Sequence, residues 1–241
     1  SPDTDSRFYD AASGYKYNHL TLMGFSLTHL SGTGIPDLGD FLFIPGTGEM
    51  KLEPGTHEDP DQGYRSRYSH DKEWASPNYY AVELADYGVK AEMTSGVRSG
   101  MFRFTYPESD NAFIMIDMNH TLWQSCEWSN LRMINDSTIT GYKLVKGWGP
   151  ERHVYFTATF SKKLTGLRFV QDKKPVIYNT SRFRSSYEAW GKNLMACISF
   201  DTKAGEEVTV KTAISAVSTD GARNNMKELD GLTFNELRAK G

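Results

Sequence analysis

The protein has 241 residues, 39% hydrophobic and 24% charged, with a formal net charge of −3. That length suits one large domain or two small ones, and it can bury a sizeable core without covalent staples. Its 13 Tyr, 13 Phe and 5 Trp exclude a solvated tail, its slightly acidic balance argues against a nucleic-acid surface, and no apolar run reaches the length of a bilayer span.

The chain opens on Ser1-Pro2-Asp3-Thr4, without a signal-peptide pattern or a capping signal, and so reads as the middle of something longer. Asp40-Phe41-Leu42-Phe43-Ile44 predicts a short apolar strand closed by Pro45-Gly46. Tyr80–Leu84 and Phe102–Tyr106 place apolar side chains at every second position, and Pro107 stops the latter. Val154, Phe156, Ala158 and Phe160 share one face of a further strand, and Val208, Val210, Thr212 and Ile214 repeat the pattern. Period-two alternation marks strands with one face in a core. Only the end reads as helix: Ala222, Met226 and Leu229 have helical spacing, and Thr233 caps a second segment containing Leu237. Many short strands without interleaved helices exclude a βαβ architecture and predict an all-β antiparallel sandwich with a helical exit. The last segment has too little apolar face to be stable without packing partners, which predicts a continuation.

Two cysteines, Cys126 and Cys197, exclude a disulfide framework and read as free or inert thiols. The glycine-dense stretch Leu30–Asp40 lacks the Gly-Lys-Ser/Thr ending of a phosphate loop, so it reads as a sandwich turn or as a loop offering backbone and small hydroxyls to a polyol. His57–Gly63 is acidic but lacks the alternating ligands of a calcium loop and reads as a solvated tip. None of the six histidines forms a zinc-type pair; His29 and His70 stand out only for their polar surroundings. Trp123, Trp128, Trp148 and Trp190 fall near expected loops, where exposed rings could stack on sugars. Asn119-His120-Thr121, Asn135-Asp136-Ser137 and Asn179-Thr180-Ser181 match the glycosylation sequon, a weak signal in a chain of this length.

Ser13-Gly14-Tyr15-Lys16-Tyr17, Gly24-Phe25-Ser26-Leu27-Thr28-His29-Leu30-Ser31-Gly32-Thr33-Gly34 and Asp37-Leu38-Gly39-Asp40 resemble the N-terminal domain of glycoside hydrolase family 92. Those enzymes are calcium-dependent exo-α-mannosidases of gut Bacteroidetes. Arg67-Tyr68-Ser69-His70, Asp86–Thr94, Gly147-Trp148 and Ile214–Ser218 extend the likeness over essentially the whole chain. The resemblance implies a galactose-mutarotase-like supersandwich over residues 1–220, its first strand lying outside the chain. Residues 221–241 would then begin a linker to an absent (α/α)6 catalytic barrel. It implies inverting hydrolysis of an α-mannoside glycan, with α-1,2 the common linkage. The catalytic carboxylates and calcium ligands belong to the barrel, so neither catalytic nor metal residues are expected here. It places the sugar pocket at the domain interface and the protein in the periplasm or at the cell surface.

Family members carry a Trp before the Ser-Gly-Tyr motif, where this chain has Phe8-Tyr9, and Leu27 replaces a family His. Substrate contacts are therefore expected at Tyr9, His29, Ser31, Gly32 and Thr33. The alternative is a free-standing carbohydrate-binding or scaffold module without catalysis. The mannosidase reading predicts a large exposed apolar face near residues 20–45; the alternative predicts a polar surface there.

Overall fold

A computed structural model describes residues 1–6, 12–30, 34–177 and 187–240. The first strands are β1 (Pro2–Asp3), β2 (Thr21–Leu22), β3 (Gly24–Phe25), β4 (Leu42–Thr47), β5 (Ser66–Arg67) and β6 (Glu73–Ser76). Next come β7 (Tyr79–Leu84), β8 (Val89–Ser95), β9 (Ser99–Tyr106), β10 (Ser109–Asp117), β11 (Ser125–Asn135), β12 (Thr138–Lys146) and β13 (Arg152–Phe160). The chain ends with β14 (Gly166–Gln171), β15 (Lys174–Pro175), β16 (Glu188–Gly191), β17 (Leu194–Thr202), β18 (Glu206–Ser215) and helices α1 (Thr219–Met226) and α2 (Phe234–Lys240).

Two antiparallel sheets face each other across the core. One has seven strands in the order β1-β3-β4-β10-β17-β14-β15, and the other has nine in the order β16-β11-β12-β13-β18-β9-β8-β7-β6. The alternation in β9 and β18 sends Phe102, Phe104, Val208 and Val210 into that core, where Phe43 meets Phe102 at 5.1 Å between ring centroids. The all-β sandwich expected from the sequence is what forms.

β4 departs from expectation at both ends: it begins at Leu42, which leaves Asp40 and Phe41 outside it. Pro45-Gly46 does not close it; the strand runs on to Thr47, with Pro45 opposite Ile114 and Gly46 opposite Phe113 of β10. β3 pairs with β4 only through Phe25 and Phe43, so the proline lies past that ladder and costs it nothing. Gly46 is required because a Cβ there would stand 2.4 Å from the Phe113 ring. The run Leu42-Phe43-Ile44 is apolar without alternation because this sheet is covered on both faces. Phe43 enters the main core, while Leu42 and Ile44 join Met23, Tyr64, Phe113 and Met115 in a second cluster.

The helical exit folds back onto the nine-stranded sheet. Ser218 caps α1 by accepting from the Gly221 amide at 2.9 Å, and Thr233 with Glu236 forms a capping box at the start of α2. Phe234 and Leu237 bury against Met101 and Leu229, which supplies the packing that so short a helix lacks on its own. The Glu228 carboxylate accepts from the amides of Val97 and Arg98 and from Ser99 Oγ, fastening this exit to the β8–β9 turn. Both cysteines are free and buried.

Candidate functional site

The glycine-dense loop after β3 is held closed at its base. Gly39 N donates to Thr28 O and Leu27 N to Asp40 O, both at 2.9 Å, and His29 bridges Leu38. Leu38, Gly39 and Phe41 all take left-handed φ values of 69°, 78° and 59°. Two of these are non-glycine, a conformation that persists only where the surroundings impose it.

Two buried carboxylates supply that constraint. Asp3 has no exposed surface and stands between two imidazoles: His29 Nε2 is 2.5 Å from Oδ1, and His120 Nε2 is 3.2 Å from Oδ2. Burial by itself would raise the Asp3 carboxyl, but the histidines outweigh it and hold it well below the usual carboxylate range. His29 Nε2 also lies 2.7 Å from Ser26 Oγ. Gly14 of the Ser-Gly-Tyr motif lies against this pair with φ +82°, and a Cβ there would stand 2.3 Å from Asp3 Oδ1 and 2.7 Å from His29 Cε1.

Asp40, likewise unexposed, accepts from Thr28 Oγ1 at 2.7 Å and from both Arg152 terminal nitrogens at 2.6 and 3.1 Å. Lys143 is fully buried with Nζ 3.6 Å from Asp40 Oδ1, and it donates to the His120 carbonyl. Burial pushes the Asp40 carboxyl upward, yet Lys143 and Arg152 bring it below its ordinary value. His120 therefore joins the two clusters, its ring on Asp3 and its carbonyl on Lys143.

The same frame carries aromatics to the surface. Leu122 N donates to Leu38 O at 2.9 Å, zipping the 119–124 loop to the glycine loop. The next residue, Trp123, has φ +82° and is 47% exposed. Its ring centroid lies 5.8 Å from that of Trp148, itself 60% exposed. Gly147 lets the two loops approach, since a Cβ there would lie 2.3 Å from Gln124 Cγ. Trp123 borders a cleft of about 910 Å³ lined by Tyr64, Asp117, His120, Gln124 and Lys173.

Of the residues expected to meet substrate, Tyr9, Ser31, Gly32 and Thr33 lie outside the described residues. His29 is described, and its side chain, 9% exposed, turns inward onto Asp3. His70 sits elsewhere: Nδ1 lies 2.6 Å from Glu73 Oε2, Nε2 lies 2.8 Å from the Tyr17 carbonyl, and the Tyr17 ring stacks on it at 3.9 Å. Both nitrogens face acceptors, the arrangement of an imidazolium. Hydrogen bonding to Glu73 raises its pKa. Trp128 and Trp190 lie in the strands β11 and β16 rather than in loops.

Sequence reasoning missed Asp3, Lys143 and Arg152 as parts of this frame. Lys143 left a readable signal. In β12 the inward positions are Ile139, Gly141, Lys143 and Val145, so a lysine stands on the apolar face of an alternating strand, where it must find a buried anion. Large hydrophobics exposed within 20–45 are Leu20, Leu30 and Ile35 among the described residues, whereas Phe25 and Phe41–Ile44 are core. The large apolar face expected there is not present among them. No group of three or more potential metal-binding His, Cys, Asp or Glu side chains occurs among the described residues, and no helix of theirs is long and apolar enough to cross a membrane.

A family model, the glycosyl hydrolase family 92 N-terminal domain, matches residues 1–215. Among solved structures, a family GH92 inverting mannosidase from Bacteroides thetaiotaomicron superposes over 100% of this chain with TM-score 0.78 and 22% identity. A second, the GH92 family glycosyl hydrolase ccman5, does so with TM-score 0.78 and 23% identity. The chain spans 30% and 32% of those two chains, about a third of their length. No curated protein matches it.

Proposed function

The chain belongs to glycoside hydrolase family 92 through that family's N-terminal domain, and from that premise we propose that it forms the β-sandwich part of an inverting exo-α-mannosidase acting on N-glycans or mannans. Its part is to complete the sugar pocket against a catalytic domain occupying the remaining length of its relatives. The observation that carries this reading is the zipped pair of loops at one end of the sandwich. Buried Asp3 and Asp40 fix their backbones and leave Trp148 at the surface and, next to it, Trp123 on the rim of a polar cleft. Tyr9, Ser31, Gly32 and Thr33 contact the sugar in this reading, and His29 contributes through its contact with Asp3.

Inversion needs one carboxylic acid on the leaving oxygen and one carboxylate activating water, about 6.5–9.5 Å apart. This reading assigns both to the catalytic domain. The calcium ion implied by the resemblance finds no donor set among the described residues. Export to the periplasm or cell surface follows from the same reading.

A second reading, a carbohydrate-binding module without catalysis, draws support from the scarcity of exposed apolar side chains over residues 20–45. Assay of the full-length protein separates the two. Mannose released from α-mannobioses, first as the β-anomer by NMR, is the expected result. Binding of mannosides without any release overturns the enzyme reading in favour of the module.

A further inference from the structure

We propose that the outer face of the nine-stranded sheet carries a second carbohydrate-binding platform, formed by Trp190, Tyr142 and Tyr155 beside α1, that takes neutral pyranose units of an extended polysaccharide. The strand register builds it. Trp190 of β16 is opposite Asn130 of β11, Asn130 is opposite Tyr142 of β12, and Tyr142 is opposite Tyr155 of β13. Directly opposed residues share a face. The neighbouring row, Ala189, Leu131, Gly141 and Phe156, points the other way into the core, so the aromatic row points out.

These rings are held in place. Tyr142 and Tyr155 meet at 4.9 Å between centroids, and Tyr142 Oη lies 3.0 Å from His153 Nδ1. Asn130 fills the space between Trp190 and Tyr142, donating to the Ala189 carbonyl at 3.1 Å and to Glu188 Oε1 at 3.3 Å. Trp190 remains 52% exposed. Helix α1 covers the adjacent sheet surface and leaves a depression of about 470 Å³ along the row.

The chemistry of that depression selects its occupant. Besides the rings it offers Arg132 and Arg223 against Glu188 and Asp220. Among the described residues, two positive and two negative side chains give no net charge, which disfavours a phosphate backbone and suits an uncharged ligand with many hydroxyls. Ile134 is its only aliphatic Val, Leu, Ile or Met side chain among the described residues, whereas the core of a protein–protein interface is mainly apolar. A pyranose fits both aspects: its C–H face lies on an aromatic ring, and its hydroxyl pairs bridge planar guanidinium and carboxylate groups. The proposal takes its ligand class from the glycan-processing reading above but does not depend on mannose or on catalysis.

The test uses the full-length protein in native gels containing soluble yeast mannan, xylan, hydroxyethylcellulose or glycol chitin. Retardation by at least one polysaccharide, weakened about tenfold in apparent affinity by Trp190→Ala and by Tyr155→Ala, is expected. Hydrolysis of an aryl mannoside should be unchanged in both variants, which also shows that they fold. Retardation by a polysaccharide other than mannan upholds the platform while counting against the mannosidase reading. Retardation by none of them, or equal retardation of wild type and both variants, overturns the platform. Hydroxyl-radical footprinting supplies a check independent of the variants: Trp190 should be oxidised in the free protein and protected by the retarding polysaccharide. Protection without sugar means that another protein segment covers the face, and that too overturns the proposal.

Discussion

The Lys143 ammonium, with no surface exposed, stands 3.6 Å from Asp40 Oδ1 in the interior of the sandwich. A buried pair of this kind contributes little net stability when intact, but it is costly to break, because removing one partner strands the other. Asp40→Asn should therefore destabilise the protein by about 3–5 kcal/mol. Lys143→Met should cost less, since Arg152 and Thr28 still satisfy the carboxylate. The double variant should recover part of the Asp40→Asn loss. Urea unfolding of the three variants measures this, and a double variant no better than Asp40→Asn would show that the two charges do not interact.

Gly14 and Gly48 both have left-handed φ, 82° and 83°, but only Gly14 is crowded. Gly48→Ala should cost about 1 kcal/mol, the conformational penalty alone. Gly14→Ala adds a clash with Asp3 and His29 and should cost at least twice as much. Equal midpoints for the two variants would mean that the Asp3–His29 pair yields without penalty.

Trp123 holds a φ that only glycine adopts freely, and such strain is kept where it serves a site. Trp123→Gly and Trp123→Ala both delete the ring, so their stability difference isolates the backbone. Glycine should be the more stable by about 1 kcal/mol. If the full-length protein is the mannosidase proposed above, both should raise KM for a mannobiose about tenfold, the scale of a truncated aromatic contact, with a smaller change in kcat. Unchanged KM would remove Trp123 from the sugar pocket.

His70 ties the segment carrying Tyr15 and Tyr17 to the β6–β7 hairpin through Glu73. Its folded pKa lies above its unfolded value of about 6.5. The contribution is therefore fully present below that unfolded value and disappears as pH rises through the folded pKa. The Asp3 carboxyl acts in the opposite sense: its folded pKa is depressed, so its contribution is present above about pH 4 and is lost on acidification. Melting temperature across pH 5–9 should fall on the alkaline side in wild type and fall less in His70→Gln. Parallel curves would show that His70 is not the group responsible.

The sandwich was legible wherever the signal was local. Phe102 with Phe104, and Val208 with Val210, alternate over a few residues, and each pair lies inward as expected. The extent of β4 was not legible, because whether Pro45 can sit in a strand depends on which neighbour borders it there. The site was half legible. Gly14, His29 and Asp40 stood within motifs, but their partners did not. Arg152 lies 112 residues from Asp40 and His120 lies 117 from Asp3, and no short-range pattern records such pairings. Lys143 was the exception, misplaced on an apolar strand face in plain view.

Those separations also fix an order of events during synthesis. The glycine loop leaves the ribosome early, but Asp3 lacks its full set of partners until residue 120 has emerged, and Asp40 until residue 152. Contacts so distant along the chain form slowly, because loop closure precedes any compensating energy. The strained backbone at Leu38 and Phe41 should therefore be acquired late, once β12 and β13 have docked, and a nascent chain arrested before Arg152 should carry Asp40 without that partner.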